Sequence, residues 1–238
     1  METRIRNDSP KTGAVDACVD YGCINFTMHR KLTTSEFILV PAATDQAAIA
    51  QYMMDAWEIT APGLLCRIIG SVEKGQIDPI QGVLEGIVYG VSQADGCILS
   101  NGLDFGLASV VGNTINAASH RCQAPLIGVP SWSAVQGREQ LVSDADVERG
   151  QATQKGLKKK YVDAEPDENM ETVSLQPVHT HFVMVKADDN ALHETAHLSP
   201  EKKMFEARVS SFTFAHELEE ELACATQGGH TPRLLMVL

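Results

Sequence analysis

Aromatic side chains are scarce in this sequence, 5% of its 238 residues, so a core has to be assembled mainly from Val, Ile, Leu, Met and Ala. Positive charge is in short supply too. Lys and Arg number 19 against 31 Asp and Glu, a formal net charge of −12, and a field of that sign repels phosphate backbones and anionic headgroups at long range. Nucleic acid is therefore not an expected partner. A small phosphorylated ligand stays admissible, because Arg side chains and helix N-termini can make a pocket locally positive. No apolar stretch approaches the ~18–20 residues of a membrane span, so this chain is not expected to insert into a bilayer itself. The opening METRIRNDSPKTG also lacks the apolar run of a signal peptide. No C-x-x-C occurs among the cysteines at 18, 23, 66, 97, 122 and 224, several of which sit in apolar runs. They read as reduced, mostly buried thiols, and the chain as soluble and cytoplasmic.

What is present fits one α/β domain, residues 21–238, behind a loose polar tail at 1–20. Tyr21–Phe26 (YGCINF) and Phe37–Pro41 (FILVP) are strand candidates. The Ala, Met and Ile spacing from Asp45 to Trp57 predicts a helix capped by Thr44 or Asp45. From Leu64 the pattern is regular. The apolar runs Leu64–Gly70 (LLCRIIG), Gly96–Ser100 and Pro125–Val129 (PLIGV) alternate with helical faces at Ile77–Val91 and Phe105–Ala118. Short unalternating apolar strands separated by helices indicate a parallel sheet covered on both faces. The fold class is thus α/β, a Rossmann-like open, mostly parallel sheet.

Residues 150–176, with basic Lys155–Lys160 and acidic Asp163–Glu171, break the rhythm and predict an exposed loop insert. His179–Lys186 resumes a strand, on which His179 and His181 would share a face. Ser199-Pro200 is a helix start, with the helix running to about Ala225. Arg233–Leu238 (RLLMVL) predicts one more buried strand. A parallel strand ordinarily leads into a crossover helix, so the C-terminal end is expected to be truncated relative to a complete fold.

Ligands of open parallel sheets bind beyond the carboxyl ends of the strands. Gly70-Ser71 closes one strand, and Asn101-Gly102-Leu103-Asp104-Phe105-Gly106 closes the next and opens a helix whose free N–H groups suit an anion. The sequence holds neither a complete G-x-G-x-x-G nor a Walker A motif, so tight βα turns without a ligand account equally well for these glycines. At the same sheet edge, Trp132 offers a stacking surface and Arg138 a bidentate phosphate donor. Asp104 would oppose a phosphate beside it. His193-Glu194-Thr195-Ala196-His197 is a literal H-E-x-x-H, a zinc-peptidase signature when carried on one helix. Here the helix start at Ser199-Pro200 follows too closely, and His193 and His197 are weak metal candidates.

The order YGCINF, FILVPAATDQAAIAQYMMDAW, APGLLCRIIGS, GCILSNGLDFGLASVVG, APLIGVPSWSAVQGREQLV and PVHTHFVMVKADD resembles the cytosolic N-terminal region of melastatin-type transient receptor potential (TRPM) cation channels. That region carries a Rossmann-like domain of the SLOG class. The resemblance covers roughly residues 20–238. It implies that Gly70-Ser71 and Asn101-Gly102 stand where the family has paired glycines, and that Pro130–Ser133 stand for its A-P-W-G stretch. Thr180-His181-Phe182 correspond to S-H-F, and Arg138 and Arg208 to two arginines that hold phosphate in nucleotide-binding members. Asp104 replaces the usual His of the second turn, and Phe105 the following Thr.

The function implied is non-catalytic binding of an ADP-ribose-like nucleotide, subunit assembly in a homotetrameric channel at the cytosolic face of a membrane, or both. The expected ligand-binding residues are Gly70, Ser71, Asn101, Gly102, Asp104, Phe105, Gly106, Trp132, Arg138 and Arg208. No cofactor and no catalytic residue is implied. The alternatives are a degenerate scaffold without ligand, favoured by the substituted glycine pairs, and a nucleotide N-glycosidic hydrolase. Such hydrolases carry a P-G-G-x-G-T-x-x-E stretch that is missing here.

Overall fold

The computed structural model describes residues 20–26, 34–70, 77–117, 124–142, 158–161, 172–187, 200–225 and 230–237. Eight strands form one sheet: β1 (Asp20–Phe26), β2 (Thr34–Pro41), β3 (Leu65–Ile69), β4 (Cys97–Ser100), β5 (Leu126–Gly128), β6 (Lys158–Tyr161), β7 (His181–Lys186) and β8 (Arg233–Val237). Their order is β6-β1-β2-β7-β5-β4-β3-β8. Only the β1–β2 pair is antiparallel. Among the described residues four α-helices accompany them: α1 (Gln46–Ala56), α2 (Ile77–Gln93), α3 (Gly106–Ala117) and α4 (Pro200–Cys224). The expected Rossmann-like α/β class is the observed one.

Successive side chains of the buried strands point to opposite faces of the sheet, and so assign each helix to a face. Leu65, Leu99, Ile127, Val183 and Val185 pack with Ile49 and Met53 of α1 and with Phe214, Leu218 and Leu222 of α4. On the opposite face, Cys66, Ile68, Ile98 and Leu126 meet Leu84 and Val88 of α2 and Leu107, Val111 and Ile115 of α3. A third cluster under β1, β2, β6 and β7 concentrates the few aromatics, with Phe26, Phe37, Tyr161 and Phe182 fully buried. Asp45 caps α1, its carboxylate accepting from the Ala47 N–H at 3.1 Å.

Three expectations need correction. Within the segment expected to be a solvated loop, Lys158–Tyr161 is a strand paired with β1, and Tyr161 anchors it in the core. β8 is an edge strand rather than a buried one, with Leu235 and Val237 more than half exposed, because it has a neighbour on one side only. His179 precedes β7 instead of lying on it. Its ring stacks on Phe182, whereas the His181 ring lies 4.6 Å from Trp57 on the other face.

Strand order sets where a ligand can sit. β3, β4 and β5 advance in one direction, while α4 carries the chain from β7 back over the sheet to β8 on the far side of β3. The order therefore reverses at β3, and a crevice opens beyond its carboxyl end.

Candidate functional site

A cleft of about 550 Å³ occupies that crevice. The end of β3 supplies Arg67, Ile69 and Gly70, and the end of β4 with its following turn supplies Ser100, Asn101 and Leu103. Phe105 and Gly106 bring the start of α3 to the rim, with its unpaired N–H groups. Pro130 and Ser131 follow β5, and α4 closes the top with Arg208, Ser211, Phe212 and Ala215. Phe105 and Phe212 are each about half exposed, at 51% and 50%, so two aromatic faces meet solvent at the mouth. A smaller apolar groove of about 250 Å³, running towards Val237 of β8, shares Gly70, Asn101 and Phe212 with the cleft.

Of the residues expected from sequence, the fold brings Gly70, Asn101, Phe105, Gly106 and Arg208 together in this cleft. Gly102, Asp104, Trp132 and Arg138 are not among its lining residues. Gly102 serves the backbone. Its φ is +73°, and a Cβ there would stand 2.7 Å from the Gly128 Cα. The Asp104 carboxylate accepts from the Ser109 hydroxyl at 2.7 Å, within the first turn of α3. Trp132 packs against the aromatic cluster under β1, β2, β6 and β7. Arg138 donates to the Ser133 carbonyl at 2.7 Å and so closes its own turn. Ser71, His193 and His197 lie outside the described residues. Among the described residues no His, Cys, Asp and Glu cluster is arranged to hold a metal.

Arg67 was missed because it sits inside the apolar run LLCRIIG, where a lone charge was the available signal. It is 4% exposed. Burial lowers its pKa, with the Glu219 carboxylate opposing the shift. The guanidinium lies 3.5 Å from Glu219, donates to the Phe212 carbonyl at 3.0 Å and sits 4.3 Å from the Phe212 ring centre. Beside it, Ser100 at the end of β4 is 2.7 Å from Nε2 of a fully buried His179. Burial pushes that imidazole down to about 3, so it is neutral. The thiols of Cys66 and Cys97 are buried and unpaired, and burial raises the pKa of both, Cys66 to about 11. Both are therefore inert as nucleophiles.

The profile described as SLOG in TRPM matches residues 35–224, which include every cleft-lining residue. The chain belongs to the SLOG-in-TRPM family. Transient receptor potential cation channel subfamily M member 7 of Homo sapiens is 24% identical over 169 residues, 69% of this chain and 8% of the relative. Member 6 of Mus musculus is 21% identical over 126 residues, 51% of this chain and 6% of the relative. Member 4 of Rattus norvegicus is 25% identical over 129 residues, 52% of this chain and 11% of the relative. This SLOG domain thus spans a small part of the length of the channel subunits it matches. No described helix of the domain is long and apolar enough to cross a membrane.

Proposed function

We propose that the domain is a non-catalytic sensor that binds a nucleotide-like anion, of the ADP-ribose kind, in the cleft over β3 and β4. The supporting observation is the convergence of Arg208, Gly70, Asn101 and the start of α3 on one cleft between two half-exposed phenylalanines. A guanidinium and a helix N-terminus suit phosphate, and an aromatic face suits a base. Arg138, engaged with Ser133, contributes indirectly by shaping the turn beside Ser131. Within a channel subunit at the cytosolic face of a membrane, such binding biases gating by favouring one of two conformations.

Calorimetry with ADP-ribose tests the reading. Heat from the wild-type domain that disappears in Arg208→Ala supports it. No heat from wild type overturns it.

Assembly with other channel subunits is a second role, with its own support. The outer face of α2 carries Gly82, Gly86 and Gly90 with open space where each Cβ would stand, and Val83 and Tyr89 are half exposed on the same helix. Interior helical glycines are destabilising, and no described residue packs within 4 Å of where these three Cβ atoms would stand.

A further inference from the structure

Arg67 is a charge buried in a strand of otherwise apolar residues, and its ion pair is a long one. A guanidinium carries five N–H donors, and among the described residues Arg67 makes two side-chain hydrogen bonds. One reaches Glu219 at 3.5 Å, well beyond the ~2.7–2.9 Å of a charge-assisted bond. The other is bonded to the Phe212 carbonyl. The residue also lines the cleft. Arg208, Ser211, Phe212 and Ala215 face the cleft at helical spacing, and Glu219 follows one turn deeper, itself buried. Arg208 is exposed and Arg67 is buried, so the cleft holds one cation at its rim and a second at its floor.

We propose that Arg67 is an anion receptor at the cleft floor, and that Glu219 is its internal, displaceable counter-ion. This deepens the sensor reading given above and rests on it. The ligand class is a molecule with an anionic group, phosphate or carboxylate, at its buried end and a planar body lying against Phe212. The entering anion competes with Glu219 for the guanidinium and weakens the already long Arg67–Glu219 pair. Binding in the cleft is thereby coupled to the packing of α4 on β3. Two features separate this from a purely structural ion pair: the pair distance is long, and the Phe212 ring covering the guanidinium is half exposed instead of sealed.

The experiment measures binding of ADP-ribose, inorganic phosphate and acetate at low ionic strength to wild type, Glu219→Gln, Arg208→Ala and Arg67→Met/Glu219→Gln. The double variant removes both charges together, because Arg67→Met alone would strand a buried carboxylate. Glu219→Gln is expected to bind ADP-ribose about tenfold more tightly, and the double variant to lose that gain and fall below wild type. A response to phosphate but not acetate assigns the floor to phosphate, and the reverse assigns it to carboxylate. Unchanged or weaker binding by Glu219→Gln overturns the inference, as does a double variant that binds like wild type. If Arg208→Ala loses ADP-ribose while those two variants match wild type, the sensor reading stands and the role of Arg67 falls. If no protein responds to any of the three probes, both fall.

Discussion

The Ser100 hydroxyl and the His179 imidazole form a strut beneath the cleft, Oγ to Nε2 at 2.7 Å. Ser100 Oγ also accepts the Gly102 N–H at 3.2 Å, so the hydroxyl is engaged by two groups of the protein. The strut ties the end of β4 to the turn before β7 and holds the Ser100 hydroxyl to the protein. Ser100→Ala leaves a buried ring nitrogen without a partner. It should destabilise the domain by about 1–3 kcal/mol, read as a lower urea midpoint.

The same burial makes stability pH-dependent. In the folded domain the His179 imidazole titrates at about 3 and the His181 imidazole at about 4, both lowered by desolvation. An unfolded imidazole takes up its proton near 6.5. Between those values the unfolded chain binds more protons, so the contribution is complete above pH 6.5 and is lost as pH falls towards the folded values. By pH 5 each ring should remove about 2 kcal/mol. The drop in urea midpoint from pH 7 to pH 5 should shrink in His181→Asn. An unchanged drop would show that His181 titrates normally in the fold.

Gly102 and Gly128 cross at van der Waals distance. A Cβ on Gly102 meets the Gly128 Cα at 2.7 Å, and a Cβ on Gly128 meets both the Gly102 Cα at 2.7 Å and the Phe182 ring at 2.8 Å. Gly102→Ala adds the strain of a left-handed φ to that clash. Either substitution should lower stability by about 2–4 kcal/mol. Thermal unfolding within 1 kcal/mol of wild type would mean that the backbones separate easily.

Gly86→Ala should act in the opposite direction. Its Cβ meets nothing within 4 Å, so in the isolated domain the helix gains roughly 0.5–1 kcal/mol. In an assembled channel the same methyl group occupies the surface proposed for a neighbour. A variant that is more stable alone but assembles less well supports the contact on α2. One that assembles normally removes it.

The regular α/β half was legible because β3, β4 and β5 are fully buried apolar runs and α2 and α3 show their periodicity; their observed limits lie close to those read from residues 64–129. Less legible were the elements whose burial depends on distant partners. β6 reads as KKKY, a solvated run, and is ordered because the Tyr161 hydroxyl donates to the Gln136 carbonyl at 2.6 Å and accepts the Leu175 N–H at 3.1 Å. In the site, the turns after β3 and β4 could be read from their glycines. Arg67 could not, because its role depends on Glu219, 152 residues away. The expected pairing of Arg138 with Arg208 likewise depended on how a short turn folds, and that turn directs Arg138 to Ser133.

Asp104 gives the last test, because sequence alone sets it against an anionic ligand. Its carboxylate is held by Ser109 and is absent from the cleft lining, so a ligand seated in the cleft is not in contact with it. At that separation an exposed charge is screened to a few tenths of a kcal/mol at physiological salt. Asp104→Asn should therefore change ADP-ribose affinity by about twofold or less, while Arg208→Ala abolishes measurable binding. A gain of more than about tenfold in Asp104→Asn would place the carboxylate beside the phosphate and require the turn to move when ligand binds. The choice between these outcomes rests on whether Ser109 keeps its hold on Asp104 in the liganded state, which Ser109→Ala reports directly: freed from that bond, Asp104 should then weaken binding.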